Sequence, residues 1–179
     1  MVTKRITLDE LRQIAKAANG KINKIYLHWT AGNYHQFFGN YHLNIDSDGA
    51  VMATTDDLTD YKSHTWRRNT GAIGICMCCC VDAVAYADGR VDLGSVPPMA
   101  MQIDGMAKAV AVLCEELGLA INEYNVMTHA EAADLDDYGP ATTFERWDLW
   151  KLPDVPGDGE LKPGGDVIRG KAIWWSNNW

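Results

Sequence analysis

Two histidines in this sequence stand where an apolar stretch gives way to a loop. His28 lies in Ile25-Tyr26-Leu27-His28-Trp29, ahead of Thr30-Ala31-Gly32, and His129 ends the stretch Val126-Met127-Thr128. A histidine at the end of a buried strand is well placed to present its imidazole to a cleft. A core histidine with its ring hydrogen-bonded gives the same local pattern, because buried polar groups are as a rule satisfied. Asp148, in Arg146-Trp147-Asp148-Leu149, adds a carboxylate. Two neutral imidazoles and one carboxylate suit a hydrolytic zinc ion, which takes three protein ligands and leaves its fourth position to water. Such a set leaves the ion net positive and able to acidify that water toward neutral pH. The three residues are dispersed along the chain, so spacing alone does not decide between ligands and core residues.

The cysteines are the other reactive group. There are five, Cys76, Cys78, Cys79, Cys80 and Cys114, an odd number with three in a row. That pattern suits no disulfide framework, and all five are read as thiols. Period-two geometry puts Cys76, Cys78 and Cys80 on one face of a strand. Thiolates there could hold a second zinc, but free cysteine is among the most buried residue types, and small buried hydrophobes are the simpler assignment.

These residues need a scaffold. Thr7 N-caps a first helix in which Leu8, Leu11, Ile14, Ala15 and Ala18 recur at helical spacing, and Gly20 stops it. Ile25–Trp29 reads as a buried strand. Tyr41–Ile45 and Ala50–Ala53 flank Asp46-Ser47-Asp48-Gly49, the pattern of a hairpin with an Asp-Gly turn. Ala72–Val81 is apolar without alternation, as in a central strand covered on both faces. Met99–Leu117 places Met99, Ile103, Met106, Val110, Leu113 and Leu117 on one stripe, and Gly118 closes that helix. Asn125–Thr128 is a short strand, Asp134–Phe144 a loop, and Glu145–Leu152 the start of another short helix. Pro153 opens a stretch rich in Pro, Gly and Asp, before a tail carrying Trp174, Trp175 and Trp179. The tail tryptophans are expected to form a small core closing over the sheet. The order of elements predicts an α/β fold, a single domain over 1–179 with a central mixed β-sheet flanked by α-helices. Its core spans about 7–152, and 153–179 is a C-terminal extension.

Tyr26-Leu27-His28-Trp29-Thr30-Ala31-Gly32 and Tyr41-His42-Leu43-Asn44-Ile45-Asp46-Ser47-Asp48-Gly49 resemble the opening of the N-acetylmuramoyl-L-alanine amidase family. That family includes phage amidase-type lysozymes and peptidoglycan recognition proteins. The resemblance continues through Ser63-His64-Thr65, Asn69, Ala72-Ile73-Gly74-Ile75, Thr128-His129-Ala130-Glu131 and Arg146-Trp147-Asp148. It implies one catalytic zinc in a surface groove, and a peptidoglycan substrate cut between N-acetylmuramic acid and L-alanine. By the same resemblance the metal ligands fall on His28, His129 and Asp148, with Asp137 as a rival third ligand. Arg146 favours Asp148, since family members often carry a basic residue two positions before that ligand. The phage-type catalytic tyrosine falls on Tyr41. Arg146 would steady the oxyanion where phage members carry lysine, but it stays charged and cannot shuttle protons. His64, Thr30 and Asn69 fall among groove positions that contact substrate, and His64 could instead lie behind a ligand. Cys76 stands where some wall-recycling relatives carry a glutamate base, which points to the phage-lysozyme branch. His35, His42 and Glu131 receive no catalytic role, Glu131 being taken for a solvated loop acid. Some family members lack the third ligand and only bind muropeptides, so a non-catalytic recognition module is the rival implication.

Composition narrows the partners. A net charge of -8 is the wrong sign for a nucleic-acid binder, and it gives no general attraction to an anionic cell wall. No apolar run approaches a membrane span. The first twenty-one residues lack the apolar stretch of a signal peptide, which predicts a cytoplasmic protein as synthesised, acting on the wall after release. The expected state is a monomer, and the biological setting a phage or prophage endolysin.

Overall fold

The computed structural model describes residues 3–154 and 160–179. Along the chain run β1 (Lys4–Ile6), α1 (Leu8–Ala17), β2 (Lys24–Trp29), β3 (Leu43–Ile45), β4 (Val51–Ala53) and β5 (Ala72–Met77). They are followed by β6 (Val84–Ala85), β7 (Val91–Asp92), α2 (Ala100–Leu117), β8 (Val126–Thr128) and α3 (His129–Leu135). The chain ends with β9 (Lys151–Pro153), β10 (Leu161–Pro163) and α4 (Gly164–Ser176). Six strands form one mixed sheet in the order β1-β4-β3-β5-β2-β8. The pairs β3–β5, β5–β2 and β2–β8 are parallel, while β1–β4 and β4–β3 are antiparallel. This is the expected α/β fold.

The two faces of the sheet are unequal, and side-chain alternation along β2 and β5 sorts them. Ile25, Leu27 and Trp29 join Ile73, Ile75 and Met77 in the main hydrophobic cluster, with Leu11 and Ala15 of α1 and Met106, Val110 and Leu113 of α2. Tyr26 and His28 point the other way, opposite Gly74 and Cys76 in the β2–β5 register. There the apolar cluster is small: Tyr26, Ala72, Met127 and Ala132. Helices α1, α2 and α4 thus cover the apolar face, leaving the polar face to hold the chemistry.

Local signals explain most element boundaries. Thr7 and Glu10 form a capping box at the start of α1. The hairpin turns at Gly49, whose φ of 81° favours glycine and whose missing side chain lets Met101 of α2 approach. The hairpin strands are shorter than expected, because Tyr41 and His42 lie before β3. Gly118 closes α2 as expected.

Several expectations are corrected. β1, a polar edge strand of three residues, was not foreseen. The expected helix over 145–152 is absent; Leu149 has φ 59° and the chain enters β9 instead. Cys76 and Cys78 both direct Sγ at Asn44 Oδ1, but Cys80 has φ 70° and its Sγ contacts Cys79, so the three do not share one face. All five cysteines are free and buried, and burial pushes the Cys114 thiol up to about 12. Only part of the tail tryptophan cluster is core. Trp175 packs on the main cluster and donates to Asp104, whereas Trp174 and Trp179 are exposed. Val167, Ile168 and Ala172 of α4 are buried in the same core as α1 and α2. Part of the Pro/Gly/Asp stretch, 155–159, lies outside the described residues.

Candidate metal centre and cleft

His28 is fully buried on the polar face of β2. Its Nδ1 lies 3.0 Å from Asp148 Oδ2, and its Nε2 lies 3.2 Å from Thr65 Oγ1. His129 does not end a strand, as the sequence suggested; it is the first residue of α3. Thr128 caps that helix by accepting from the Glu131 N–H at 3.1 Å, and Glu131 Oε2 accepts from the Thr128 N–H at 2.8 Å. Glu131 is therefore a capping residue, further bound by Arg169, and not a solvated loop acid. The cap fixes the His129 ring so that its Nδ1 lies 3.0 Å from Asp148 Oδ1. Asp148 arrives on the loop before β9, held where its carbonyl accepts from Ala130 N–H.

One potential ligand atom from each of His28, His129 and Asp148 lies within 4.8 Å of the others, and among the described residues this is the cluster of three or more such groups able to hold a metal. Each imidazole nitrogen is 3.0 Å from a carboxylate oxygen. Zinc bonds of about 2.0–2.2 Å need tetrahedral donors roughly 3.3 Å apart, so the set needs little adjustment. Burial pushes the His28 imidazolium down by more than Asp148 raises it, which keeps that ring neutral. Burial alone would raise the Asp148 carboxyl, but the two imidazoles, His129 above all, hold it well below the usual carboxylate range. An ionised carboxylate beside a neutral imidazole is the protonation state that zinc binding requires. The residues fit the ion.

The remaining expected residues surround this centre. A cleft of about 440 Å³ includes Thr30, Phe38, Tyr41, His129, Arg146 and Asp148 in its lining. A second, of about 760 Å³, is bordered by Tyr61, Trp66, Asn69, Asp137 and Tyr138. The two share Ser63, His64, His129, Glu145 and Arg146, so they meet at the metal centre. The Tyr41 ring is 5.0 Å from that of His28, and burial pushes its phenol well up, which keeps the hydroxyl protonated as a donor. Arg146 is exposed at the junction of the clefts. Asp137 borders the second cleft and is not part of the metal cluster. Thr30 lines the first cleft, but its hydroxyl already accepts from the N–H groups of Gly32 and Cys79. His42 is a core histidine: Nδ1 accepts from Gly74 N–H and Nε2 donates to the Asp60 carbonyl. His35 is an exposed ring paired with Asp46.

His64 is buried, and its ring lies against Gly74, where an added Cβ would come within 2.5 Å of it. Burial and the neighbouring His28 push its pKa down to about 2, so it is neutral. Three residues that touch the site or brace it had no role in the sequence reading. Thr65 meets His28, Tyr138 brings its hydroxyl to 3.4 Å from His129 Nε2, and Arg169 binds Glu131. The capping pattern Thr128-x-x-Glu131 was a usable signal for α3. Nothing local marks the other three: the partners of Thr65 and Arg169 lie 37 and 38 residues away, and Tyr138 meets His129 across the turn that follows α3.

The sequence model of N-acetylmuramoyl-L-alanine amidase matches residues 18–142. That span includes both histidines and Tyr41 and stops short of Arg146 and Asp148, which join the site through the geometry just described. A comparison with curated proteins finds no match. With a match over most of its length, and with His28 on the central sheet facing His129 at the start of α3, this chain belongs to the N-acetylmuramoyl-L-alanine amidase family, hydrolases that act on peptidoglycan.

Proposed function

We propose that the protein is a zinc-dependent amidase that cleaves the amide between N-acetylmuramic acid and L-alanine, with His28, His129 and Asp148 holding the ion. The observation that carries this is the convergence of those three groups within 4.8 Å where two clefts meet. Zinc in that set would acidify a water and polarise the amide carbonyl. Tyr41 keeps its proton and serves as a hydrogen-bond donor to the carbonyl oxygen as it gains charge. Arg146 adds a fixed positive charge at the junction of the clefts and, always protonated, takes no part in proton transfer. His64, Asn69 and Thr30 border the path of the substrate. His64 and Asn69 also brace the wall behind His28, and the engaged hydroxyl of Thr30 leaves it a structural share in that border.

The test is metal analysis of the purified chain together with release of amino groups from isolated sacculi. One zinc per chain and new L-alanine amino groups are expected. His28→Ala, His129→Ala and Asp148→Ala should lose metal and activity together, whereas Asp137→Ala should keep both. A metal-free preparation hydrolysing at the normal rate would end the zinc mechanism. Binding to sacculi without amino-group release would assign the chain to the recognition branch.

We further infer an endolysin, monomeric and made in the cytoplasm for release to the wall. The support is Tyr41 beside His28 and Cys76 at the position where recycling relatives carry glutamate. No helix among the described residues is long and apolar enough to cross a membrane. Co-expression with a pore-forming protein should lyse the host, and light scattering should give the monomer mass.

A further inference from the structure

We propose that Thr65 is a positioning residue for the metal centre, its hydroxyl holding the His28 ring with Nδ1 turned toward the ion. This rests on the zinc site proposed above and concerns what keeps that site in register. Thr65 is 1% exposed, and its Oγ1 stands between two rings, 3.2 Å from His28 Nε2 and 2.9 Å from His64 Nδ1. The hydroxyl is fixed from behind. Asn69 Oδ1 accepts from the backbone N–H groups of both His64 and Thr65, at 3.0 and 2.8 Å, which pins the loop. The His64 ring is wedged over Gly74. His64 Nε2 is buried beside the Ala72 backbone and makes no hydrogen bond of good geometry there, so Thr65 supplies the well-formed hydrogen bond that orients that ring.

The chemistry of a hydroxyl explains why threonine serves here. In the metal-free chain the ionised Asp148 accepts the His28 Nδ1 proton, so His28 Nε2 is a lone pair that accepts from the Thr65 O–H. The Thr65 oxygen then accepts from His64 Nδ1–H. With Nδ1 given to a metal, the single ring proton of His28 must sit on Nε2 and be donated to Thr65 Oγ1. The Thr65 O–H then turns to the His64 Nδ1 lone pair, the single His64 ring proton having moved to Nε2, beside the Ala72 backbone. Both arrangements satisfy the His28 ring with no heavy atom moving, because one oxygen both donates and accepts. Valine has the same shape and can do neither, while serine can do both. A histidine ligand whose second nitrogen lacks a partner typically loses about 10–100-fold in metal affinity.

The experiment compares the full chain with Thr65→Val and Thr65→Ser by competition for zinc against a chromophoric chelator, alongside urea unfolding of each. Thr65→Val should weaken zinc about 10–100-fold, and Thr65→Ser should bind close to wild type. Wild-type affinity in Thr65→Val, or equal loss in both variants, would overturn the proposal while leaving the metal site standing. A wild-type chain that takes up no zinc would remove the metal site and this role with it. If Thr65→Val does not fold, nitrogen-15 NMR of the zinc-loaded wild type decides. The His28 ring proton should be found on Nε2 and protected from exchange; a proton there in free exchange with solvent would overturn the assignment.

Discussion

Arg169 gives the sharpest stability test of how the C-terminal helix supports the site. It is 7% exposed and lies on α4, yet its guanidinium reaches three partners outside its own position. Nη1 donates to Glu131 Oε2 at 2.9 Å and to the Val126 carbonyl at 3.0 Å, and Nη2 donates to Glu131 Oε1 at 2.8 Å and Asp166 Oδ1 at 2.7 Å. One side chain thus ties α4 to the strand that leads to His129 and to the residue that caps its helix. Arg169→Ala would leave the Val126 carbonyl buried without a donor, at about 1–3 kcal/mol. Breaking a buried ion pair costs about 3–5 kcal/mol. The Glu131 side chain is 34% exposed and would recover part of this by hydration, as would the exposed Asp166. The two contributions overlap, and about 3–4 kcal/mol in all is expected. For a chain of this size that lowers the melting temperature by roughly 10 °C. Arg169→Lys keeps the charge but loses the two-pronged contact and should fall between wild type and alanine. Urea unfolding in the presence of chelator measures the effect apart from metal binding. A loss below about 0.5 kcal/mol, the size of an ordinary surface change, would refute the idea that α4 is fastened to the site through this guanidinium.

Other expectations follow from single contacts. Tyr41→Phe should retain zinc and lose about 10²–10³ in turnover, the usual cost of one oxyanion donor; full turnover on a soluble muropeptide would make Tyr41 a packing residue. Gly74→Ala places a methyl 2.5 Å from the His64 ring and should cost about 1–3 kcal/mol while weakening zinc; unchanged unfolding and metal titrations would mean the ring moves aside freely. Burial pushes the His42 pKa from 6.5 down to about 4. The unfolded chain therefore takes up a proton below about 6.5 that the folded chain refuses until about 4, so stability must fall as pH drops through that window, by up to about 3 kcal/mol. A flat urea-midpoint profile there, in chelator, would contradict it.

How much of this was legible in the sequence depended on how local the cause was. β2, β5, the hairpin and α2 announce themselves because burial imposes an apolar pattern along contiguous residues. The edge strand β1 does not: Lys4 and Arg5 are exposed, and their pairing to Ala53 and Met52 is set by the partner strand. The segment 145–152 misled for a definite reason. Leu149 adopts a φ of 59°, which no helix spanning it could contain, and its residue type does not advertise it. The ligands were visible only through the order of family motifs, since His28 and Asp148 are 120 residues apart. Thr65, Tyr138 and Arg169 are ordinary residues whose work depends on what tertiary packing brings beside them, so no pattern of spacing could single them out.

The register of β2 against β5 links the fold to the chemistry. Because strand side chains alternate, Tyr26 and His28 share a face with Gly74 and Cys76 only while Tyr26 pairs with Gly74 and His28 with Cys76. A slip of one residue would turn Leu27 into the cleft and His28 into the cluster formed with α2, at the cost of the whole apolar face. The large core therefore does more than hold the domain together: it fixes which residues can become ligands. Gly74 then acts on the same face as His28, opening the room that His64 fills. With His64 filling that space, the Thr65 hydroxyl has little freedom to leave His28. On this logic the face with fewer apolar contacts keeps its precision by inheriting it, through register, from the face with many.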